Sequence, residues 1–130
     1  MRIAIDTSAI IAVMVNQPEK DAIVAITLNA ELIAPSSVRW EVGNALSSLY
    51  KRKKLLESQI EEVIKIFNQI PIHFENPDLN DVLKICTRHQ IYAYDAYVIS
   101  CAKDFKLPIL TLDKAMISIA GKEHIKIMEP

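Results

Sequence analysis

Short apolar runs alternate along the chain with stretches in which apolar residues recur every three or four positions. The first run, Arg2-Ile3-Ala4-Ile5-Asp6, predicts a buried strand that enters a loop at its carboxylate. Thr7 and Ser8 then open a helix to about Met14. Pro18 suits the first turn of a second helix, with Glu19 and Asp21 close behind and Ala22, Ile23 and Ile26 on its apolar side. Glu31 to Ala34 is a second strand, stopped by Pro35. Ser36 or Ser37 caps a long helix to about Arg52, whose buried stripe is Val38, Val42, Ala45, Leu46 and Leu49. Ser58-Gln59-Ile60-Glu61 fits a capping box. The helix that it opens carries Ile60, Val63, Ile64 and Phe67 at i, i+3, i+4 and i+7.

Pro71 to Phe74 reads as a third strand. Asn76-Pro77 then supplies a cap and a first-turn proline for a helix with Leu79, Val82, Leu83 and Cys86 on one side. A further helix starts near Tyr94-Asp95 and runs to about Asp104, burying Ala96, Ile99 and Ala102. Leu107 to Asp113 is an apolar strand ending in a carboxylate. Ala115 to Ala120 is a short helix, closed by Gly121 as a left-handed terminator. Ile125 to Met128 completes the set as an edge strand. Strands that alternate with helices predict an α/β protein with a parallel sheet covered on both faces.

Composition narrows this further. The 130 residues fit a single domain, 1–130, and 51% hydrophobic with 24% charged residues excludes a disordered chain. Fifteen Lys and Arg against sixteen Asp and Glu leave a net charge of −1, so nucleic-acid binding would have to rest on local patches. Cys86 and Cys101 sit among apolar helical residues and read as small buried hydrophobes in a reducing compartment. The apolar N-terminal stretch is broken by Asp6-Thr7-Ser8, unlike a signal peptide, and no apolar run is long enough to span a membrane. A soluble cytoplasmic protein is expected.

Most of the acids have ordinary roles. Glu19, Asp21, Asp78 and Asp81 fall in first helical turns, where the helix dipole favours them, and Glu31, Glu75, Glu123 and Glu129 in loops or at strand ends. Asp6 and Asp113 differ, because each ends an apolar strand, where open α/β sheets form their ligand crevice. Either could equally cap the helix that follows. Asp95 lies at a helix start and reads as a cap as well. Glu41 lies one turn into the long helix, with Asn44 on the same face at i+3. Brought into one crevice, these four carboxylates would repel one another unless a cation sat among them. Oxygen ligands suit Mg²⁺ or Mn²⁺ rather than zinc. At least one of the acids should then titrate well above its usual value in the metal-free protein. Thr111 shares a strand face with Asp113, and its hydroxyl and that of Ser8 are either local structure or outer ligands of the site.

The ordered set Asp6-Thr7-Ser8, Glu41 with Asn44, Tyr94-Asp95-Ala96 and Leu110-Thr111-Leu112-Asp113 resembles the PIN-domain family, and within it the VapC-type toxin ribonucleases. The resemblance spans essentially the whole chain. It implies a three-layer α/β/α fold with a mostly parallel central sheet and a Mg²⁺- or Mn²⁺-dependent RNA endonuclease. Asp6, Asp95 and Asp113 would be the main metal-site acids, Glu41 would complete the quartet, and Ser8, Asn44 and Thr111 would support it. The reaction implied is in-line attack of a metal-activated water on phosphorus, leaving a 3′-hydroxyl and a 5′-phosphate. A homodimer and a cognate antitoxin that blocks the acidic site are implied as well. Arg39-Trp40, just before Glu41, is bulkier than the family pattern.

Lys51-Arg52-Lys53-Lys54 is the one dense basic run. It reads as a solvated helix end or as a track for an RNA backbone. Trp40, Leu49 and Tyr50 cannot all face the sheet from one helix, which predicts an apolar groove for an amphipathic antitoxin segment. Two other enzyme classes fit less well. A receiver-type phosphoacceptor wants adjacent acids after the first strand, where Asp6 is followed by Thr7-Ser8. A phosphatase with an Asp nucleophile wants a second Asp where this chain has Ser8. The non-enzyme alternative is a catalytically silent PIN-like scaffold that binds RNA or protein.

Overall fold

A computed structural model describes residues 1–130. Five short strands form one sheet: β1 (Arg2–Ile5), β2 (Glu31–Pro35), β3 (Ile72–Glu75), β4 (Ile109–Leu110) and β5 (Ile127–Met128). Their order is β3-β2-β1-β4-β5, and every neighbouring pair is parallel. Seven helices connect them: α1 (Thr7–Met14), α2 (Lys20–Thr27), α3 (Ser37–Lys51), α4 (Glu57–Gln69), α5 (Leu79–His89), α6 (Ala93–Phe105) and α7 (Lys114–Lys122). The chain winds outward from β1 through β2 to β3, then crosses back to lay β4 against the other side of β1. The strand order therefore reverses between β1 and β4, and a crevice opens there at the strand C-termini.

The pleat divides the interior in two. Ile3, Ile5, Leu32 and Ala34 point to one face and pack with α1 to α4 through Ile10, Ile23, Val38, Val42 and Val63. Ala4, Ile33 and Ile109 point to the other and meet α5, α6 and α7 through Val82, Ile85, Ile99 and Met116. Alternation along each strand thus yields three layers with a core on either side of the sheet, the expected α/β/α arrangement.

Several local expectations are corrected. The second helix begins at Lys20, two residues after Pro18, and of its expected apolar side only Ile23 is fully buried. The box expected at Ser58 lies earlier: Gln59 Oε1 accepts from the Leu56 N–H at 2.8 Å, and α4 starts at Glu57. Asp78, not Asn76, caps α5, its Oδ1 accepting from Asp81 N at 3.2 Å. Ile85 takes the buried place assigned to Leu83, leaving Leu79 and Leu83 exposed. Gly121 lies inside α7, and the left-handed turn falls to His124, at φ 58°. The His124 N–H donates to Gly121 O and the Ile125 N–H to Ala120 O, which closes the helix by a Schellman pattern.

Glu123, read from sequence as a loop acid, is a structural hub. Its carboxylate is 4% exposed and receives Arg88 Nη1 at 2.7 Å and Lys103 Nζ at 2.7 Å, with His89 Nε2 against the same oxygen as Arg88. It therefore ties the end of α7 to α5 and α6. Both cysteines are free thiols. Cys101 is buried, and burial pushes its thiol up to about 12. No helix is long and apolar enough to cross a membrane.

Candidate active site: an acidic crevice at the sheet's carboxyl edge

The pairing of β1 with β4 puts the ends of these strands side by side, with Asp6 N–H donating to Leu110 O at 3.1 Å. Asp6 occupies the N-cap position of α1, yet its side chain makes no cap bond. Its Oδ2 instead accepts from Thr111 Oγ1 at 2.7 Å and from Ser8 Oγ at 2.9 Å. Thr111 is wholly buried and Asp6 5% exposed, so this carboxylate is clamped by hydroxyls from both neighbouring strand ends. Thr111 Oγ1 also accepts from Asp113 N at 3.0 Å, and Ser8 Oγ from Leu112 N at 2.9 Å. Ser8 and Thr111 are thus the parts that fix Asp6 and the turn after β4.

Asp113 caps α7. Its Oδ1 accepts from Ala115 N at 2.8 Å and Met116 N at 3.3 Å, which leaves Oδ2 to the crevice. Of the two strand-end acids, one therefore serves as a helix cap and the other does not.

Glu41 and Asp95 arrive from opposite layers, Glu41 from the second turn of α3 and Asp95 from the first turn of α6. Asp95 makes no cap bond. Burial raises the Glu41 carboxyl to about 7, and the negative charges of Asp6 and Asp95 add to the rise. The Thr7 hydroxyl pulls the other way, although neither its oxygen nor Glu41 Oε2 completes a hydrogen bond. Burial likewise raises Asp95 to about 6, helped by Asp113 and then Asp6. Each of the four acids thus lies within electrostatic reach of others in the set, and the expected elevated titration falls on two of them.

As the side chains are oriented, no three acidic, histidine or cysteine groups are close enough together to hold a metal ion. The chemistry of the donors nevertheless fits a hard divalent cation. All are carboxylate or hydroxyl oxygens, Glu41 Oε2 is buried without a partner, and two elevated acids mark a place short of positive charge. Asn44, exposed on α3, lines the same cleft as Glu41, Thr7, Trp40 and Tyr94. The basic run Lys51 to Lys54 is fully exposed but lies at the far end of α3, about 15 Å along the axis from Glu41. The structure does not bring it into the crevice.

The PIN domain pattern matches residues 3–122, and the chain belongs to that family. Solved structures share its fold. PAE2754 from Pyrobaculum aerophilum superposes with a TM-score of 0.73 at 19% identity, over 99% of this chain and 92% of that one. VapBC2 from Rickettsia felis, solved bound to a DNA fragment from their promoter, gives 0.69 at 13% identity, over 99% and 98%. FitAcB from Neisseria gonorrhoeae gives 0.63 at 19% identity, over 97% and 96%. No curated protein matches the chain by sequence.

Proposed function

We propose that this PIN domain is a divalent-metal-dependent RNA endonuclease, the toxin of a toxin–antitoxin pair, acting in the cytoplasm as a homodimer. The observation that supports the reading is the electrostatic coupling among Asp6, Glu41, Asp95 and Asp113 beside the β1/β4 switch point, with Glu41 Oε2 buried and unpartnered. A silent binding scaffold gains nothing from mutually repelling acids of which one is buried and two are partly desolvated. The fold likeness to VapBC2 and FitAcB supports an antitoxin as partner.

Asp6, Asp95 and Asp113 would hold Mg²⁺ or Mn²⁺, with Glu41 completing the set directly or through water. When bound, such an ion supplies Lewis acidity and offsets charge developing on the phosphodiester. Ser8 and Thr111 would keep Asp6 in one orientation, while the other carboxylates would swing toward it on loading. Glu41 Oε2 is free to take a proton from a water positioned in line with the scissile bond. The Asp113 cap fixes its carboxylate at the start of α7 while Oδ2 stays available. Lys51 to Lys54 would contact the RNA backbone away from the reacting phosphate.

Purified, partner-free protein incubated with single-stranded RNA should cleave it with Mn²⁺ and not with EDTA. Asp6→Asn and Asp95→Asn should each lose at least a hundredfold in rate with the fold retained. Wild-type rates in both variants, with contaminating nucleases excluded, would sink the assignment.

A further inference from the structure

Two cavities flank Trp40. One is the cleft beside Glu41, of about 280 Å³, lined also by Thr7 and Asn44. The other lies just outside it, has about 330 Å³, and is lined by Pro35, Ser36, Ser37 and Asn76 together with Trp40 and Tyr94. Trp40 and Tyr94 belong to both cavities, so the indole from α3 and the phenol ring from α6 form the wall between them. Trp40 is 67% exposed and Tyr94 56%, which leaves large aromatic surface uncovered beside Glu41. Tyr94 is braced edge-on by Tyr97, with ring centroids 6.4 Å apart, so its face is held in place rather than free to collapse onto the chain. Ser36, Ser37 and Asn76 supply polar groups to the lining of the outer cavity, and the Ser37 hydroxyl is buried without a hydrogen-bond partner. Arg39 stacks on Phe74 at 4.5 Å and has no carboxylate partner.

We infer that Trp40 and Tyr94 form a base-stacking subsite that receives one unpaired nucleobase of the strand whose phosphate lies at the acidic crevice. The inference rests on the nuclease reading of that crevice and adds the place where one base beside the cut is held. Three features favour a base over an amphipathic protein segment. The cavity is small, it has aromatic faces in its wall and its lining carries hydroxyl and amide groups suited to base edges; an amphipathic helix would want a long apolar groove. Continuity of the two cavities through a shared aromatic wall lets adjacent base and phosphate of one nucleotide chain occupy both at once. A base inside a duplex presents no free face and is excluded.

Trp40 is the chain's one tryptophan, so its emission reports on this wall alone. In EDTA, a single-stranded oligoadenylate should quench the emission to saturation. An abasic ribose-phosphate oligomer of equal length, with the same charge, should leave it unchanged, and so should a duplex. In Mn²⁺, Trp40→Ala and Tyr94→Ala should raise KM for single-stranded RNA about tenfold with kcat within a few-fold, while Trp40→Phe and Tyr94→Phe recover most of the loss. Equal quenching by the abasic oligomer, or unchanged KM in both alanine variants that circular dichroism shows folded, overturns the subsite. Loss of antitoxin binding in Trp40→Ala, with its RNA KM unchanged, assigns the surface to a protein and overturns it too. Quenching by oligoadenylate without any Mn²⁺-dependent cleavage by wild type would refute the nuclease reading and leave the stacking subsite standing.

Discussion

Asp6 and Asp113 occupy equivalent places in sequence, each closing an apolar strand before a helix, yet they do different things. Asp113 bonds backbone N–H groups of α7, whereas the Asp6 side chain makes no bond to the α1 backbone and is held instead by the hydroxyls of Ser8 and Thr111. The difference lies in Thr111 and Ser8, which only the pairing of β1 with β4 brings together. At this scale Glu41 offers the sharpest test. Its folded pKa of about 7 stands above the ordinary 4.5, so the folded state binds the proton more tightly than the unfolded one. The metal-free protein should therefore lose stability as pH rises from about 4.5 to 7, and keep that loss above 7. Glu41→Gln should melt higher than wild type in EDTA at pH 8, by a few degrees, and the gap should close by pH 5. Mn²⁺ should raise the wild-type Tm at pH 8 and raise that of Glu41→Gln less. Thermal melts at the two pH values check both; a lower Tm for the variant at pH 8 would count against a repelling, uncompensated carboxylate.

Individual elements show where periodicity is a good guide and where it fails. The strands, the layers and the buried stripe of α3 follow from alternation and three-to-four spacing, because burial is what those patterns encode. Helix ends follow less well. All six left-handed residues are non-glycine — Asn16, Asn29, Lys53, Gln90, Lys106 and His124 — while both glycines lie within helices. Reading Gly121 as a terminator failed for that reason: the Schellman closure at His124 is held by backbone bonds that need no glycine. At the end of α3, Lys53 at φ 59° plays the same part, with Lys53 N–H donating to Tyr50 O and Lys54 N–H to Leu49 O. Lys53→Gly should accordingly stabilise the chain by about 1 kcal/mol. In the middle of α3, a Cβ added to Gly43 would meet nothing within 4 Å, so Gly43→Ala should add about 0.5–1 kcal/mol. Urea unfolding measures both, and a destabilised Gly43→Ala would mean that the exposed face of α3 is covered in solution.

Across the whole molecule, Asp6 and Asp113 stood out as candidates because apolar runs lead into them, whereas Glu41 and Asp95 come from helices and Glu123 did not stand out at all. Its partners stand 20 to 35 residues away on α5 and α6, and no local pattern announces a contact of that range. Burial works to raise its pKa, yet hydrogen bonds from Lys103, His89 and Arg88 outweigh this and hold it at about 2. The sign is opposite to that of Glu41. This stabilisation is complete above the unfolded value near 4.5 and is lost as pH falls toward 2. The metal-free protein should thus be most stable between these two losses, near pH 5, and divalent metal should extend that optimum toward neutrality. Glu123→Ala should cost about 2 kcal/mol at pH 7 by denaturant unfolding, and should remove most of the acid-side loss while the acidic crevice stays intact.

The bond from Thr111 to Asp6 spans 105 residues of chain. It also sets a condition on synthesis. A ribosome that has released the chain only through α6 has made Asp6, Glu41 and Asp95, but nothing yet lies along the open side of β1 to set Thr111 against Asp6. The crevice comes into being only when β4 emerges and docks, so under the proposed nuclease function a chain not yet released through β4 lacks an assembled site. Stalled nascent chains ending before Ile109 should show no cleavage, and chains that have released β4 and α7 should show it.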